Sequence, residues 1–425
     1  MPEPPPGQDY YRATSAAADY PAVEGGGEYA ICIIGGGFAG LGTAVSLLER
    51  GRKDVVLLEA DAIGHGASGR NGGFVFGGFS LGERDLVSAL GEDAARKLYR
   101  LTLDAVATIR RRIGQYGIEC ELREEGVYLA NWFDDERILD RHRRFMAERL
   151  GVEWQHIGRD ELVGRLLTKR YSGALFEKDA FHFHPLKYAR GLARALAGAG
   201  VRVHERSRAT AIAPDGKGWR VKTARGEIRA REVVLCCGGY LGQLSPRLAS
   251  AMLPIATYVM VTEPLGARLH SVMRTGAAVY DTRFAFDYYR PLADTRLLWG
   301  GRIAVRARPA GEVASLLHRD MLIVYPQLAG VKVDYAWSGM MSYGRHKMPQ
   351  LGRLPDGKWY GMGFGGHGVA PTTLAGEVLA AALCGDDAGL ARFAPWKLPS
   401  AGGPVGLGAA QLTYWYYALR DRLRA

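Results

Sequence analysis

The chain is 425 residues long, 48% hydrophobic and 23% charged, with 55 Lys and Arg against 44 Asp and Glu for a net charge of +11. This is globular composition, which excludes disorder for the bulk of the chain and, at this length, requires two joined domains rather than one core. Five scattered cysteines exclude a disulfide scaffold and fit a reducing compartment, and a run of ~18 apolar residues, enough to cross a membrane, is absent.

In chain order, Met1–Gly27 reads as an irregular arm without the basic start and apolar stretch of a signal peptide, so a cytoplasmic location is expected. Tyr29–Ile34 (YAICII) is an apolar run of the kind buried in a parallel sheet. Gly35-Gly36-Gly37-Phe38-Ala39-Gly40 follows, and Leu41, Ala44, Val45 and Leu48 then recur at helical spacing until Gly51. Val55–Leu58 makes a second strand ending at Glu59, which completes a βαβ unit. The helical-looking segments Ala95–Arg112 and Arg137–Arg149 carry many of the arginines; these read as solvated faces, so no nucleic-acid partner is expected. A helix over Pro185–Ala197, a strand over Val201–His204, a hairpin around Pro214–Gly218 and a strand at Val233-Val234-Leu235 follow. Between Thr257 and Gly301 the period becomes two, with many aromatics, which reads as antiparallel sheet. A last strand, Trp359–Met362, runs into a glycine-rich loop and a helix from Pro371. The predicted fold class is α/β: a Rossmann-like dinucleotide-binding domain with a second, α+β domain containing a large antiparallel sheet.

Gly35-x-Gly37-x-x-Gly40 lies between strand and helix, with Glu59 nineteen residues beyond Gly40. Gly35 permits the tight turn, Gly37 lets backbone approach a pyrophosphate, and Gly40 lets helix pack on strand; Glu59 can accept from a ribose diol. A second glycine cluster, Gly64–Gly78, begins five residues after Glu59, and a late one, Gly363-Phe364-Gly365-Gly366-His367-Gly368, precedes a helix. A nicotinamide dinucleotide needs no second glycine-rich contact so close to the first. An extended flavin dinucleotide, covered on both sides of its ring, does, and FAD is the expected cofactor.

GASGRNGG at Gly66–Gly73, HPLKYARGLA at His184–Ala193, VVLCCGGYLG at Val233–Gly242 and GFGGHGVAPTTLAGEVLA at Gly363–Ala380 resemble the D-amino-acid-oxidase-type FAD oxidoreductases. Within that superfamily, YYRATS near the start, TEPLG at Thr262–Gly266, DYYR at Asp287–Arg290, YPQL and DYAWSG at Tyr325–Gly339 and WYYALRD at Trp415–Asp421 are similar to the γ-glutamylputrescine oxidase family. The resemblance implies an FAD domain assembled from 28–80, 175–240 and 340–388, a substrate domain from 81–174 and 241–339, and a tail at 389–425. It also implies oxidation of an amine to an imine that hydrolyses to a carbonyl, with reoxidation by oxygen to hydrogen peroxide. One departure bears on substrate. Where glycine-oxidase-like members carry a carboxylate-clamping arginine after Trp-x-Gly, Trp337-Ser338-Gly339 is followed here by Met340, Met341 and Ser342. Arg345 or Arg302 is left to serve a more distant carboxylate. With no cysteine between Cys237 and Cys384, and Asn71 where relatives carry a flavin-linked histidine, FAD is expected to be non-covalent.

The expected FAD contacts are Gly35, Gly37, Phe38, Ala39, Gly40, Glu59 and Ala60; Ser68, Gly69, Arg70, Asn71, Gly72 and Gly73; Ala209, Cys237 and Gly238; and Gly365, Gly366, His367, Gly368 and Val369. Candidate catalytic residues are His367, Arg302 and Tyr288, and candidate substrate contacts are Tyr258, Phe286, Trp299, Tyr343 and Arg345. For each aromatic the bland alternative is sheet core, and for His367 it is a backbone hydrogen bond in a tight loop. His182 and His184 lack partners at metal spacing, so no metal is expected, and Cys236-Cys237 read as buried packing. Three rival readings stay open: a dehydrogenase passing electrons to a quinone or carrier protein, with Tyr414–Arg424 resting on a membrane; a non-catalytic flavin-binding module; and an NAD enzyme. Oligomeric state is not legible.

Overall fold

The computed structural model describes residues 9–424. The apolar run at Tyr29–Ile34 extends back to Gly25 and forms the central strand of an eight-stranded sheet. It pairs in parallel with Val55–Leu58 on one side and Gly226–Leu235 on the other. Arg202–His204 continues one edge, and Trp359–Met362 with Gln350–Arg353 the other. Helices cover one face, and Trp219, Val221 and Leu248 pack on the other, which is why the central strands need no polar alternation: Ile31, Cys32, Ile33, Val56 and Leu57 are all buried. The hairpin pairs Ala211–Asp215 with Gly218–Lys222 and adds antiparallel to Gly226–Leu235.

The second eight-stranded sheet runs in the order Val333–Gly344, Met252–Thr262, Leu297–Ala304, Tyr288–Pro291, Ala278–Asp281, Val127–Ala130, Gly173–Glu177 and Gln155–Gly158. Its pairings are antiparallel except between Ala278–Asp281 and Val127–Ala130. One face packs on the helix Ala310–Val324 through Val313, Leu317 and Met321; the other faces the first sheet.

Two differences from the sequence reading have clear physical causes. Arg112 does not sit on a solvated face. It is fully buried in the helix Glu92–Gln115, where its Nη2 donates to Glu377 Oε1 (2.6 Å), Glu49 Oε2 (2.8 Å) and Ser46 Oγ (2.8 Å), tying three helices together. The N-terminal arm is not irregular where it is described: Tyr10–Ala13 is a helical turn capped by Asp9, and Tyr10 and Tyr11 are buried against Val259, Val261 and Trp337. Residues 1–8 of that arm lie outside the described residues. The tail ends in a long helix, Gly403–Arg424. Among the described residues no helix is long and apolar enough to cross a membrane.

Candidate active site

The helix after the fingerprint begins at Phe38, three residues before its first apolar-face position, so the Gly35–Gly40 turn and the helix start are one feature. Gly35 has φ +118°, and a Cβ on Gly40 would fall 1.9 Å from the Gly35 carbonyl oxygen, so only glycine lets this turn close. The Phe38 N–H donates to Ser68 Oγ at 2.8 Å, which brings the second glycine cluster against the helix N-terminus. Glu59 Oε2 accepts from the Gly36 N–H (2.7 Å) and Oε1 from the Asp61 N–H (2.9 Å). Burial pushes the Glu59 carboxyl up, opposed by these N–H groups.

The loop Gly66–Gly73 is bracketed by its own asparagine. Asn71 Nδ2 donates to the carbonyls of Ala67 (3.1 Å) and Ser68 (2.9 Å), and its Oδ1 accepts from the Gly73 N–H (2.8 Å). Arg290, from the DYYR segment, holds the same loop from behind: Nε donates to the Gly72 carbonyl (2.6 Å), and Nη2 to the Phe183 carbonyl (2.9 Å) and the Tyr11 hydroxyl (3.1 Å). Tyr11 in turn donates to the Asn71 carbonyl at 2.9 Å. Trp337 Nε1 donates to the Arg70 carbonyl at 3.0 Å.

These loops open onto one cavity of about 1420 Å³ between the sheets, above the roughly 300–1,000 Å³ of an ordinary small-ligand pocket and so with room for a dinucleotide and a substrate. Four glycine-rich stretches (35–37, 66–72, 238–239 and 365–368) form its walls. The second N–H group of the helix start, at Ala39, has no carbonyl four residues back within its helix; with Glu59 below it, it supplies the kind of donor and acceptor a pyrophosphate and ribose require. The residues present fit FAD. All but three of the expected FAD contacts line the cavity. Gly40, Gly69 and Gly73 are corrections: they stand behind it as close-packing positions, a Cβ at each meeting the carbonyl oxygen of Gly35, Gly64 or Phe183 within 2.3 Å.

On the facing sheet, Tyr288, Phe286, Tyr343, Arg302 and Arg345 line the cavity. Tyr258 and Trp299 do not. Along Met252–Thr262 the cavity side is taken by Leu253, Ile255 and Thr257, so Tyr258 points the opposite way and its hydroxyl donates to the Arg306 carbonyl (2.9 Å). Trp299 is 0% exposed and stacks on Tyr289 at 4.4 Å in the core beneath the sheet. Both are corrected from substrate contacts to packing. Arg302 is a wall residue whose guanidinium is committed to Asp320, with Nε–Oδ2 2.7 Å and Nη2–Oδ1 2.6 Å.

The late loop is fixed by short contacts. The Gly366 N–H donates to the Tyr343 hydroxyl (2.8 Å), the His367 N–H to Ser80 Oγ (3.0 Å), and Ser80 Oγ to the Phe364 carbonyl (3.0 Å). The His367 ring sits edge-on to Phe76 with centroids 4.1 Å apart. Burial pushes its pKa down to about 4, outweighing the carbonyls of Gly77 and Phe76, so it is neutral at pH 7. Glu83 was not legible from sequence. It lines the cavity, and its Oε1 and His367 Cε1 both lie within 3.6 Å of the point where a Cβ on Gly78 would sit. Burial pushes its carboxyl up. His182 and His184 are structural: His182 Nε2 meets the Gly276 carbonyl (2.7 Å), and His184 caps the helix Pro185–Gly198. Burial raises both the Cys236 and Cys237 thiols, so neither is a thiolate near neutral pH.

The γ-glutamylputrescine oxidoreductase of Escherichia coli is 37% identical over 412 residues, 92% of this chain and 93% of that protein. A glycine oxidase of Geobacillus kaustophilus is 27% identical over 366 residues, 83% of this chain and 92% of its own length. The crystal structure of glycine oxidase from Geobacillus kaustophilus has a TM-score of 0.72 at 21% identity, over 88% of this chain and 98% of that one, which is a likeness of fold. The DAO family, described as FAD dependent oxidoreductase, matches residues 30–382, and the chain belongs to that family of FAD-dependent enzymes.

Proposed function

We propose that this enzyme oxidises a primary or secondary amine bearing a remote polar end, similar to γ-glutamylputrescine, to an imine that hydrolyses to the carbonyl. The observation that carries this reading is the character of the cavity wall. Where an α-amino-acid clamp would need a guanidinium, Met340, Met341 and Ser342 stand on the wall, while Glu83 offers a carboxylate beside His367. FAD held by Ala39, Glu59, Ser68 and Gly365–Val369 would supply the acceptor for the hydride equivalent of the carbon next to nitrogen, with oxygen as the final acceptor and hydrogen peroxide as the product.

The protein's part is to receive the amine and make it reactive. An aliphatic ammonium titrates near lysine, about 10.4, and must lose a proton before its nitrogen can assist hydride departure. Glu83 draws the cation in. Phe286, Tyr280 and Tyr288 attract it through their faces and then disfavour it by excluding water. A neutral His367 adds no positive charge to oppose it. Arg345, exposed at the cavity edge, is free of the Asp320 pairing that occupies Arg302 and suits a remote carboxylate. FAD is held without a covalent bond, and the enzyme works in the cytoplasm, in keeping with five free cysteines.

The test is the visible spectrum of the purified protein under anaerobic conditions, with γ-glutamylputrescine, putrescine, sarcosine, glycine or D-amino acids added and air then admitted. Bleaching by γ-glutamylputrescine, with recovery and peroxide in air, is expected. Bleaching without recovery assigns a different electron acceptor. Bleaching by glycine or D-amino acids alone refutes the substrate assignment. Acid precipitation should release all the flavin into the supernatant.

A further inference from the structure

The helix Gly403–Arg424 has two unlike sides. Its inner side closes part of the cavity through Gly406, Ala409, Thr413 and Tyr414. Asp421 accepts from the Phe284 N–H at 2.7 Å, and Tyr417 stacks on Phe284 at 4.2 Å, so the helix is docked rather than loose. Among the described residues nothing covers its outer side. Leu412, Trp415, Tyr416, Leu419 and Leu423 are between 58% and 79% exposed. They recur at spacings of three and four, which places them in one stripe along the helix. Arg420 and Arg422 are exposed at the same end and flank the stripe, Arg424 turns to the cavity side over the Phe133 ring, and the only carboxylate of the helix, Asp421, is buried.

Leucine and aromatic side chains beside guanidiniums with no free carboxylate match the boundary between headgroups and acyl chains of an anionic bilayer. A second copy of the chain fits less well, because it would bring two more arginines to the face and no carboxylate of its own helix to answer them. The chain's net charge of +11 acts in the same direction. We propose that Gly403–Arg424 docks the enzyme peripherally on an anionic phospholipid surface, with one wall of the catalytic cavity held against that surface.

The experiment sediments the purified full-length protein with vesicles of phosphatidylcholine alone, and of phosphatidylcholine containing phosphatidylglycerol. Binding to the anionic vesicles, weakening as salt is raised, is expected. The double variant Trp415→Ser, Leu419→Ser should bind at least roughly tenfold more weakly, the fold-change that about 1.4 kcal/mol produces. Its melting temperature and flavin spectrum should match the parent, since neither side chain lines the cavity. No binding to anionic vesicles overturns the proposal, as does equal binding by the double variant. Concentration-dependent dimerisation that the variant loses, without vesicle binding, overturns it in favour of a second copy.

Discussion

Arg290 is the residue whose replacement most directly tests how the glycine loop is held. It is 2% exposed, and its guanidinium donates to the Gly72 and Phe183 carbonyls and the Tyr11 hydroxyl, with Nη1 3.3 Å from His182 Nδ1. Arg290→Met keeps much of the stem volume and removes every donor. Two backbone carbonyls are then left without this partner, at about 1–3 kcal/mol for each buried group unpaired. Removing a buried guanidinium relieves part of its own desolvation cost. A net loss of roughly 2–4 kcal/mol is therefore expected, together with at least roughly tenfold weaker FAD binding as Gly66–Gly73 loosens. Arg290→Lys, which restores charge but offers one nitrogen, should fall between. Urea unfolding of the protein with FAD bound reads the first quantity, and flavin fluorescence on titration of the FAD-free protein reads the second. A loss below about 1 kcal/mol with unchanged FAD affinity would refute the claim that this guanidinium organises the loop.

Unfolded histidine binds its proton near pH 6.5 and folded His367 only near 4, so its contribution to stability is complete above pH 6.5 and lost as pH falls. From pH 7.5 to 5 that loss is about 2 kcal/mol, and His367→Gln should flatten the profile by that amount while His142, His182 and His184 keep theirs; an unchanged slope in the variant would show that the ring is not sealed from protons. Glu83→Gln should raise KM for a cationic amine roughly tenfold with little change in kcat, and equal KM values in steady-state assays would remove Glu83 from substrate capture. Gly40→Ala drives a Cβ into the Gly35 carbonyl, so about 3 kcal/mol or more should be lost by thermal or urea unfolding, and FAD retention with it; a variant as stable as the parent would mean that the turn relaxes freely.

The parts of the fold that were legible are those in which local signals agree. Gly35, Gly37 and Gly40 sit where a strand stops and a helix begins, and Val55–Leu58 and Trp359–Met362 are strands over the same residues read from the sequence. Their apolar runs admit one environment, a sheet covered on both faces. Arg112 was misread because periodicity reports which side of a helix is apolar. It does not report that Glu49 and Glu377, far apart in sequence, arrive to neutralise a buried guanidinium. Glu83 carried no local signal at all, since its meaning comes from Gly78 and His367 beside it. Arg290 and Tyr11 lay inside quoted motifs, yet nothing in spacing shows that they meet behind Asn71.

The facing sheet shows why substrate contacts are harder to read than cofactor contacts. A period of two divides a strand into two sets of side chains, but it is silent about which set meets the cavity when both faces are apolar. Here both are. Tyr258 shares its side with Ala256 and Met260 over the helix Ala310–Val324, while Thr257 and Ile255 face the cavity. The register with Leu297–Ala304 shifts between Thr257 and Tyr258 because Arg302 is an extra residue on the partner strand, so alternation runs unbroken along Met252–Thr262 but changes sides along Leu297–Ala304, where Leu297 and Trp299 share the core with Ala304. Glycine then decides the neighbouring strand: at Gly300 a Cβ would overlap the Tyr288 ring, and that vacancy lets Tyr288 lie across the sheet toward Gly72. Of the five aromatic residues expected to touch substrate, those that reach the cavity are the ones next to glycines or in turns, Tyr288, Phe286 and Tyr343. The other two, Tyr258 and Trp299, build the core beneath.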